Sequence, residues 1–448
     1  MRRSTPVFLV AIAALAGAAA VMPAVGRAAP PQAGPAAVVL SVPGRANAHP
    51  SVATDGDVAV VTWSARGNRG TDVYAAVSSD AGATFGLPVR VNTMAGAAVA
   101  SAERPPRVAI ASAGGARTIG VLWIGAAAAP AGPRMLLSRS SDGGRTFAAP
   151  IAVSAAQAPG IRGWASLAAG HDGAFHASWL DGRNAGAGAP GGEHTHHHGA
   201  AEATTAGAAA AAPHAAMRQD LYHAVIAADG TVAETPLATE VCFCCKTATL
   251  VPPTPLAGAT LPGDVLVAWR HIYPNSERDI ALAVRTAKTG LFAPPVRVSA
   301  DHWQLQACPD DGPALAVSGT GRLHVVWPSI ADPAAATEKA IFHARSTDGR
   351  TFTPRRRLDA PGSGAAHPQV AASGADALAL WDASGDGGRQ VIALTLAEPA
   401  TPIVLGPGTY PVAASTPHGF AVAWTSGTGD DAVIRVAHVS ARPTSAAN

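Results

Sequence analysis

The chain has 448 residues, 48% hydrophobic, 14% charged and 5% aromatic, with Lys+Arg 32 against Asp+Glu 30 and a formal charge of +2. No basic block or stripe is present, which argues against a nucleic-acid binder, since that needs a concentrated cationic surface to release counterions. Plentiful Val, Ile, Leu and Trp argue against disorder, and the mean hydropathy of +0.18 owes much to Ala rather than to spanning segments.

At the N-terminus Arg2 and Arg3 precede an apolar run from Val7 to Val21, and small residues follow through Gly26-Arg27-Ala28. A charged start, an apolar centre and a small-residue exit make residues 1–28 a secretory signal peptide. No later segment reaches the ~20 apolar residues of a spanning helix. The mature chain is therefore expected to be exported, periplasmic or extracellular, without a membrane span, and in a compartment that permits disulfides.

Beyond the signal, short apolar strands ending in Trp recur at Trp63, Trp123, Trp179, Trp269, Trp327, Trp381 and Trp424. Each follows a shorter apolar segment closed by a turn, as in HPSVATDGD from His49, HPQVAASGAD from His367 and YPVAASTPHG from Tyr410. An alternating strand comes next, as in TDVYAAVS from Thr71, and then a Pro-Val pattern such as LPVRVN from Leu87. Four antiparallel strands per repeated unit predict an all-β fold, a single β-propeller over residues 36–441. Seven blades are expected, or six if the irregular third or fourth unit is not a blade. The last unit has three strands, and AAVVLSV from Ala36 to Val42 is expected to supply its outer strand and close the ring. The recurring Trp are expected in the core. The 90-residue step from Trp179 to Trp269 holds a His/Gly/Ala-rich insertion at 182–217, which cannot bury a core and is read as a loop.

SSDAGATF from Ser78 and SSDGGRTF from Ser140 match S-x-D-x-G-x-T-F, and STDGRTF from Ser346 is one residue short of it. The Asp is placed to accept backbone N–H bonds of its own turn, and the Gly to take an unusual φ. With these motifs in register, the chain resembles the Asp-box, or BNR-repeat, propellers, a family that includes the sialidases. The resemblance covers nearly the whole mature chain. It implies that the boxes are structural and that chemistry lies on the opposite face. It also implies a site of three Arg, a Tyr–Glu nucleophilic pair and an Asp acid/base. Under that reading, an exo-sialidase-type glycoside hydrolase acting on sialylated glycans, Tyr410 pairs with Glu103 or Glu240, with Arg104 of Glu103-Arg104-Pro105-Pro106 on the substrate carboxylate.

The four cysteines point elsewhere. EVCFCCKT puts Cys242, Cys244 and Cys245 at the fourth unit's inner strand, and QACPDDGP puts Cys308 at the fifth. All four are expected on the ligand-facing rim, with Cys242 and Cys244 on one side of an extended strand and Cys245 on the other. Arg270, Arg278 and Trp303 are expected nearby as ligand-binding residues, with His271 and His302 as imidazoles. Disulfides, a soft-metal site and a reactive thiol all fit this pattern. His194, His196, His197 and His198 of the insertion project from the same face and add to the metal reading. The expected function is therefore binding at the axial rim by a monomer, of a soft transition metal (copper or zinc), another small ligand or a glycan. The alternatives are the sialidase-type enzyme and a disulfide-stapled protein- or glycan-binding propeller without catalysis.

Overall fold

The computed structural model describes Met1 and residues 35–126, 133–155, 160–184, 218–304, 311–332, 338–397 and 399–441. The segment expected as a signal peptide beyond Met1, most of the insertion with His194, His196, His197 and His198, and Cys308 lie outside the described residues. The chain divides into Met1–Gln32 and Ala33–Asn448, and the fold below is that of the second unit.

Among the described residues of this unit, strands form six antiparallel sheets, five of four strands and one of nine, in a β-propeller arrangement. The nine-stranded sheet contains two four-strand meanders. One runs Ala46–Asp55, Val58–Gly67, Gly70–Ser78, Val89–Arg90; the other runs Arg107–Ala113, Ala116–Gly125, Arg134–Ser140, Ile151–Ala152. The two-residue strand Ala98–Val99 bridges them, facing Thr71 on one side and Gly125 and Ile124 on the other. At the other end of the chain, Ala37–Leu40 pairs antiparallel with Val433–Ser440, Ala37 opposite Ala437.

The Trp-bearing strands carry the core. Phe175–Asp181, Leu323–Ile330 and Gly419–Ser426 are buried along their whole length, which is why they read as continuous rather than alternating apolar runs. Trp63, Trp179, Trp269, Trp327 and Trp424 are at most 1% exposed. Burying an indole N–H without a partner is costly, and partners are present. Trp63 donates to Asn47 Oδ1 at 2.9 Å, Trp179 to Asp181 Oδ2 at 2.9 Å and Trp327 to Asp301 Oδ2 at 2.8 Å.

Three S-x-D turns share one hydrogen-bond pattern. Asp80 Oδ1 accepts from Thr84 N at 2.8 Å, Asp142 Oδ1 from Thr146 N at 3.0 Å and Asp348 Oδ1 from Thr351 N at 2.7 Å. The Ser hydroxyl opening each turn bonds the Asp in turn, as Ser140 Oγ does to Asp142 at 2.8 Å.

A channel of about 370 Å³ is lined by the first strand of each meander. These strands are Ala46–Asp55, Arg107–Ala113, Arg162–Ala169, Ala248–Leu250, Ala314–Val317, Ala366–Ser373 and Thr409–Thr416. Four of them begin with the same irregularity. His49, Trp164, His367 and Tyr410 have φ of 58°, 55°, 55° and 55°, each where the register with the next strand slips. Bulges of this kind re-aim a side chain at a sheet end, and four in equivalent places mark one end of the channel.

Candidate functional site

Around the cysteines the structure departs from the extended strand expected there. Cys242 ends the outer strand Val232–Cys242, and the chain turns at Phe243-Cys244 before the inner strand Ala248–Leu250. Cys242 and Cys244 therefore do not simply share a strand side. The turn instead brings Cys245 Sγ to 3.5 Å from Cys242 Sγ, with Cys244 Sγ at 4.0 Å. Nor do these residues lie open on the rim. All three are at most 2% exposed, in the core cluster that includes Trp164, Leu180, Val241 and Trp269.

Cys242 and Cys245 are free thiols. Cys244 is disulfide-bonded and so offers no thiolate. Arg278 Nη1 donates to Cys242 Sγ at 3.3 Å, and the charge of the buried Arg270 acts on both Cys242 and Cys245. The Cys245 thiol donating to it, then the charges of Arg278 and Arg270, hold the Cys242 thiol well below its ordinary range against the opposing effect of burial. Burial, and then the Cys242 sulfur, push Cys245 well up. The pair thus carries one ionised and one protonated sulfur at neutral pH.

Arg270 and Arg278 were expected as ligand forks at the rim, and the structure buries both. Arg270 donates to the carbonyls of Arg278 at 2.6 Å, Pro328 at 2.7 Å and Asp311 at 3.3 Å, with its guanidinium 4.9 Å from the buried Trp303 ring. Neither guanidinium pairs with a carboxylate among the described residues. The expected imidazoles lie apart from the sulfurs. His271 Nδ1 accepts from Trp269 Nε1 at 3.4 Å, and its ring packs edge-on to Tyr273 at 4.7 Å. His302 is 58% exposed and pairs with Glu277 at 3.0 Å. Among the described residues, the three sulfurs of Cys242, Cys244 and Cys245 lie close enough to reach one ion, and with Cys244 in a disulfide two free thiols of that group remain.

Tyr410 lies at the channel end, its ring 4.0 Å from His367 and 5.9 Å from His49. Asp382 Oδ2 joins them, 2.7 Å from His367 Nδ1 and accepting from Tyr410 N at 2.9 Å. Burial, then the fields of Asp382, Asp311 and Glu103, push the Tyr410 phenol well above its ordinary value, so it is a neutral hydroxyl. The Arg104 guanidinium rests 5.7 Å from the Trp164 ring. Around Tyr410 the lining of the pocket includes two basic side chains, Arg107 and Lys246. The sequence reading missed Lys246, which spans to Asp311 Oδ1 at 3.0 Å and to the Pro368 carbonyl at 3.1 Å. It also missed His49 and His367, although the shared aromatic-Pro step of His49-Pro50, His367-Pro368 and Tyr410-Pro411 is a usable signal.

No family model matches the sequence, and no curated protein matches it. Among solved structures the chain is similar to the Hadza microbial sialidase Hz136, at 13% identity over 88% of this chain, with a TM-score of 0.45. It is also similar to the alpha-L-arabinanase of Penicillium chrysogenum, at 11% identity over 91% of this chain and 99% of that one, with a TM-score of 0.47. A third likeness is to the Trypanosoma rangeli sialidase, at 11% identity over 79% of this chain, with a TM-score of 0.45. The chain spans 66% of the first sialidase and 55% of the second. No helix among the described residues is long and apolar enough to cross a membrane.

Proposed function

We propose that the chain is an exported, sialidase-like β-propeller of seven blades that holds one soft monovalent metal ion, of the Cu(I) class, between Cys242 and Cys245. Seven blades follow if the nine-stranded sheet is two blades bridged by Ala98–Val99, with the pairing of Ala37–Leu40 to Val433–Ser440 as the closure of the ring. One observation carries the metal reading. Two buried free thiols 3.5 Å apart face two buried guanidinia that have no carboxylate partner among the described residues.

Charge and coordination number select the ion. With Cys242 ionised and Cys245 protonated, the two guanidinia and one thiolate leave one positive charge buried. A monovalent ion on two thiolates displaces the one remaining thiol proton and keeps that sum at one, whereas a divalent ion raises it to two. Zinc also needs four ligands in a structural site, and His271 and His302 are engaged away from the sulfurs. Cu(I) is satisfied by soft thiolates alone. With Cys242 and Cys245 free, Cys308 is the one remaining cysteine of the chain and the partner we propose for Cys244. A disulfide staple and a metal site can then coexist.

A glycoside hydrolase using Tyr410, Glu103 and Arg104 is the weaker reading, because the Tyr410 phenol is held protonated and Arg104 packs on Trp164. Anaerobic competition for Cu(I) against a chromophoric chelator tests the proposal. The wild-type chain should withdraw one equivalent, His271→Ala and His302→Ala should do the same, and Cys242→Ser with Cys245→Ser should withdraw none. Equal uptake by the cysteine double variant, or no uptake by the wild type, would overturn it.

A further inference from the structure

On the face that bears the S-x-D turns, the blades repeat a second device. An aromatic side chain from the turn after four of the third strands packs into the neighbouring core: Phe85, Phe147, Phe292 and Phe352. Two of the junctions also contain a histidine pair at equivalent positions. His176 and His324 each stand three residues before a core Trp, and His223 and His343 sit across from the residue before that Trp. Over the first pair the ring of Phe292 closes, edge-on to His223 at 5.1 Å. Over the second, among the described residues, no aromatic ring closes: the turn after Gly388–Thr395 begins with the smaller Leu396, buried in that junction, and Ala397, and the sequence has no aromatic residue before Ile403.

The missing ring leaves a pocket of about 340 Å³, floored by His324 and His343 and bordered by Arg322, Arg345 and Arg356, with Asp376 the one acidic lining residue among the described residues. That volume falls in the range of about 300–1,000 Å³ usual for small-molecule sites. His324 and His343 are 6% and 4% exposed, and the contact between His324 Nδ1 and His343 Nε2 at 3.1 Å uses one nitrogen of each ring. Burial, then Arg322 and Arg345, lowers His324 to about 4, and burial, then His324, Arg356 and Arg345, lowers His343 to about 3, so both rings are neutral. A neutral imidazole has one N–H. If His324 donates across the shared contact, the N–H of His343 is left for the pocket; if His343 donates, that of His324 is left. Either way one donor remains in the floor beneath the guanidinia. Cations are repelled there, and donors arrive from the Trp strand, the third strand and the outer strand rather than from one plane.

We infer that this pocket binds a tetrahedral oxyanion, phosphate or sulfate, free or as the ester group of a sugar-sized molecule. Guanidinium forks and a neutral N–H are the donors that such a group takes. The site is independent of the metal site.

Calorimetric titration of the folded chain at constant ionic strength tests it, with inorganic phosphate, inorganic sulfate, a hexose phosphate, a hexose sulfate and acetate as probes. One or more of the tetrahedral probes should bind at millimolar concentration or tighter, and acetate at least tenfold more weakly. Tighter binding of the hexose esters than of the inorganic ions identifies an ester as the ligand, and the reverse a free ion. Arg322→Gln with Arg345→Gln should abolish the binding. So should Ala397→Phe, which restores a ring at an exposed position; thermal melting confirms that each variant is folded. No heat with any tetrahedral probe, equal binding of acetate, or unchanged binding by both folded variants would overturn the inference.

Discussion

Lowering the pH from 7 to 5 should destabilise the fold through the His176–His223 pair. The rings stack at 5.5 Å and are 5% and 1% exposed, with His176 Nδ1 and His223 Nε2 buried without hydrogen-bond partners. Burial, then Arg285 against the opposing Asp172, lowers His176 from 6.5 to about 4. Burial, then His176 and Arg285, lowers His223 to about 3. Because the folded values lie below the unfolded one, the stability is fully present above about 6.5 and is lost as pH falls toward 4 and 3. At pH 5 the unfolded rings are protonated and the folded ones are not. The gap of about 1.5 units at about 1.4 kcal/mol each gives about 2 kcal/mol per ring, and about 2–4 kcal/mol for the pair after allowing for residual solvation. Urea unfolding of the wild type and of His176→Leu/His223→Leu at pH 7, 6 and 5 isolates this share from the other histidines. The wild type should lose about 2–4 kcal/mol more than the variant between pH 7 and 5. Equal losses would refute the assignment of buried neutral rings.

Replacing Asn47 with Leu should loosen the junction of the chain ends. Its Oδ1 accepts from Trp63 Nε1 and from Val42 N, while Nδ2 donates to the Ala432 carbonyl. At about 1–3 kcal/mol per orphaned buried group, denaturant unfolding should show a loss of several kcal/mol. Gly312→Ala places a Cβ onto the Lys246 carbonyl oxygen, and about 1–3 kcal/mol of lost stability in the same assay would be typical of such overpacking. Asp80→Asn should lower the melting temperature at pH 7, since hydrogen bonds from Ser78 and then Thr84 hold its carboxyl at about 2. The deficit should shrink as acid protonates the wild-type carboxylate between pH 4 and 2, and a constant deficit would contradict that cause.

Much of the fold could be read in advance because single patterns there encode both conformation and burial. Trp63, Trp179 and Trp327 end runs apolar on both faces, and such runs fit a strand packed on both sides. The S-x-D turns were legible because Ser, Asp, Gly and Thr each make a local bond that needs no distant partner. The cysteine site was only half legible. Phe243-Cys244 turns without Gly or Pro to mark it, so residues read as extended fold back and set Cys242 against Cys245 instead of Cys244. Burial of Arg270 and Arg278 was hidden as well. Their hydrogen bonds run to carbonyls and to Cys242, some from distant parts of the chain, and no local pattern announces a guanidinium enclosed in a core.

Metal analysis of the chain purified from its native compartment, with thiols counted on the same sample after denaturation and metal removal, tests the central claim most directly. One copper per chain, together with two thiols that react only once the metal is gone, is the predicted result. No metal and no thiols would mean that Cys242 and Cys245 are joined as a second disulfide, and the metal-binding account would be wrong.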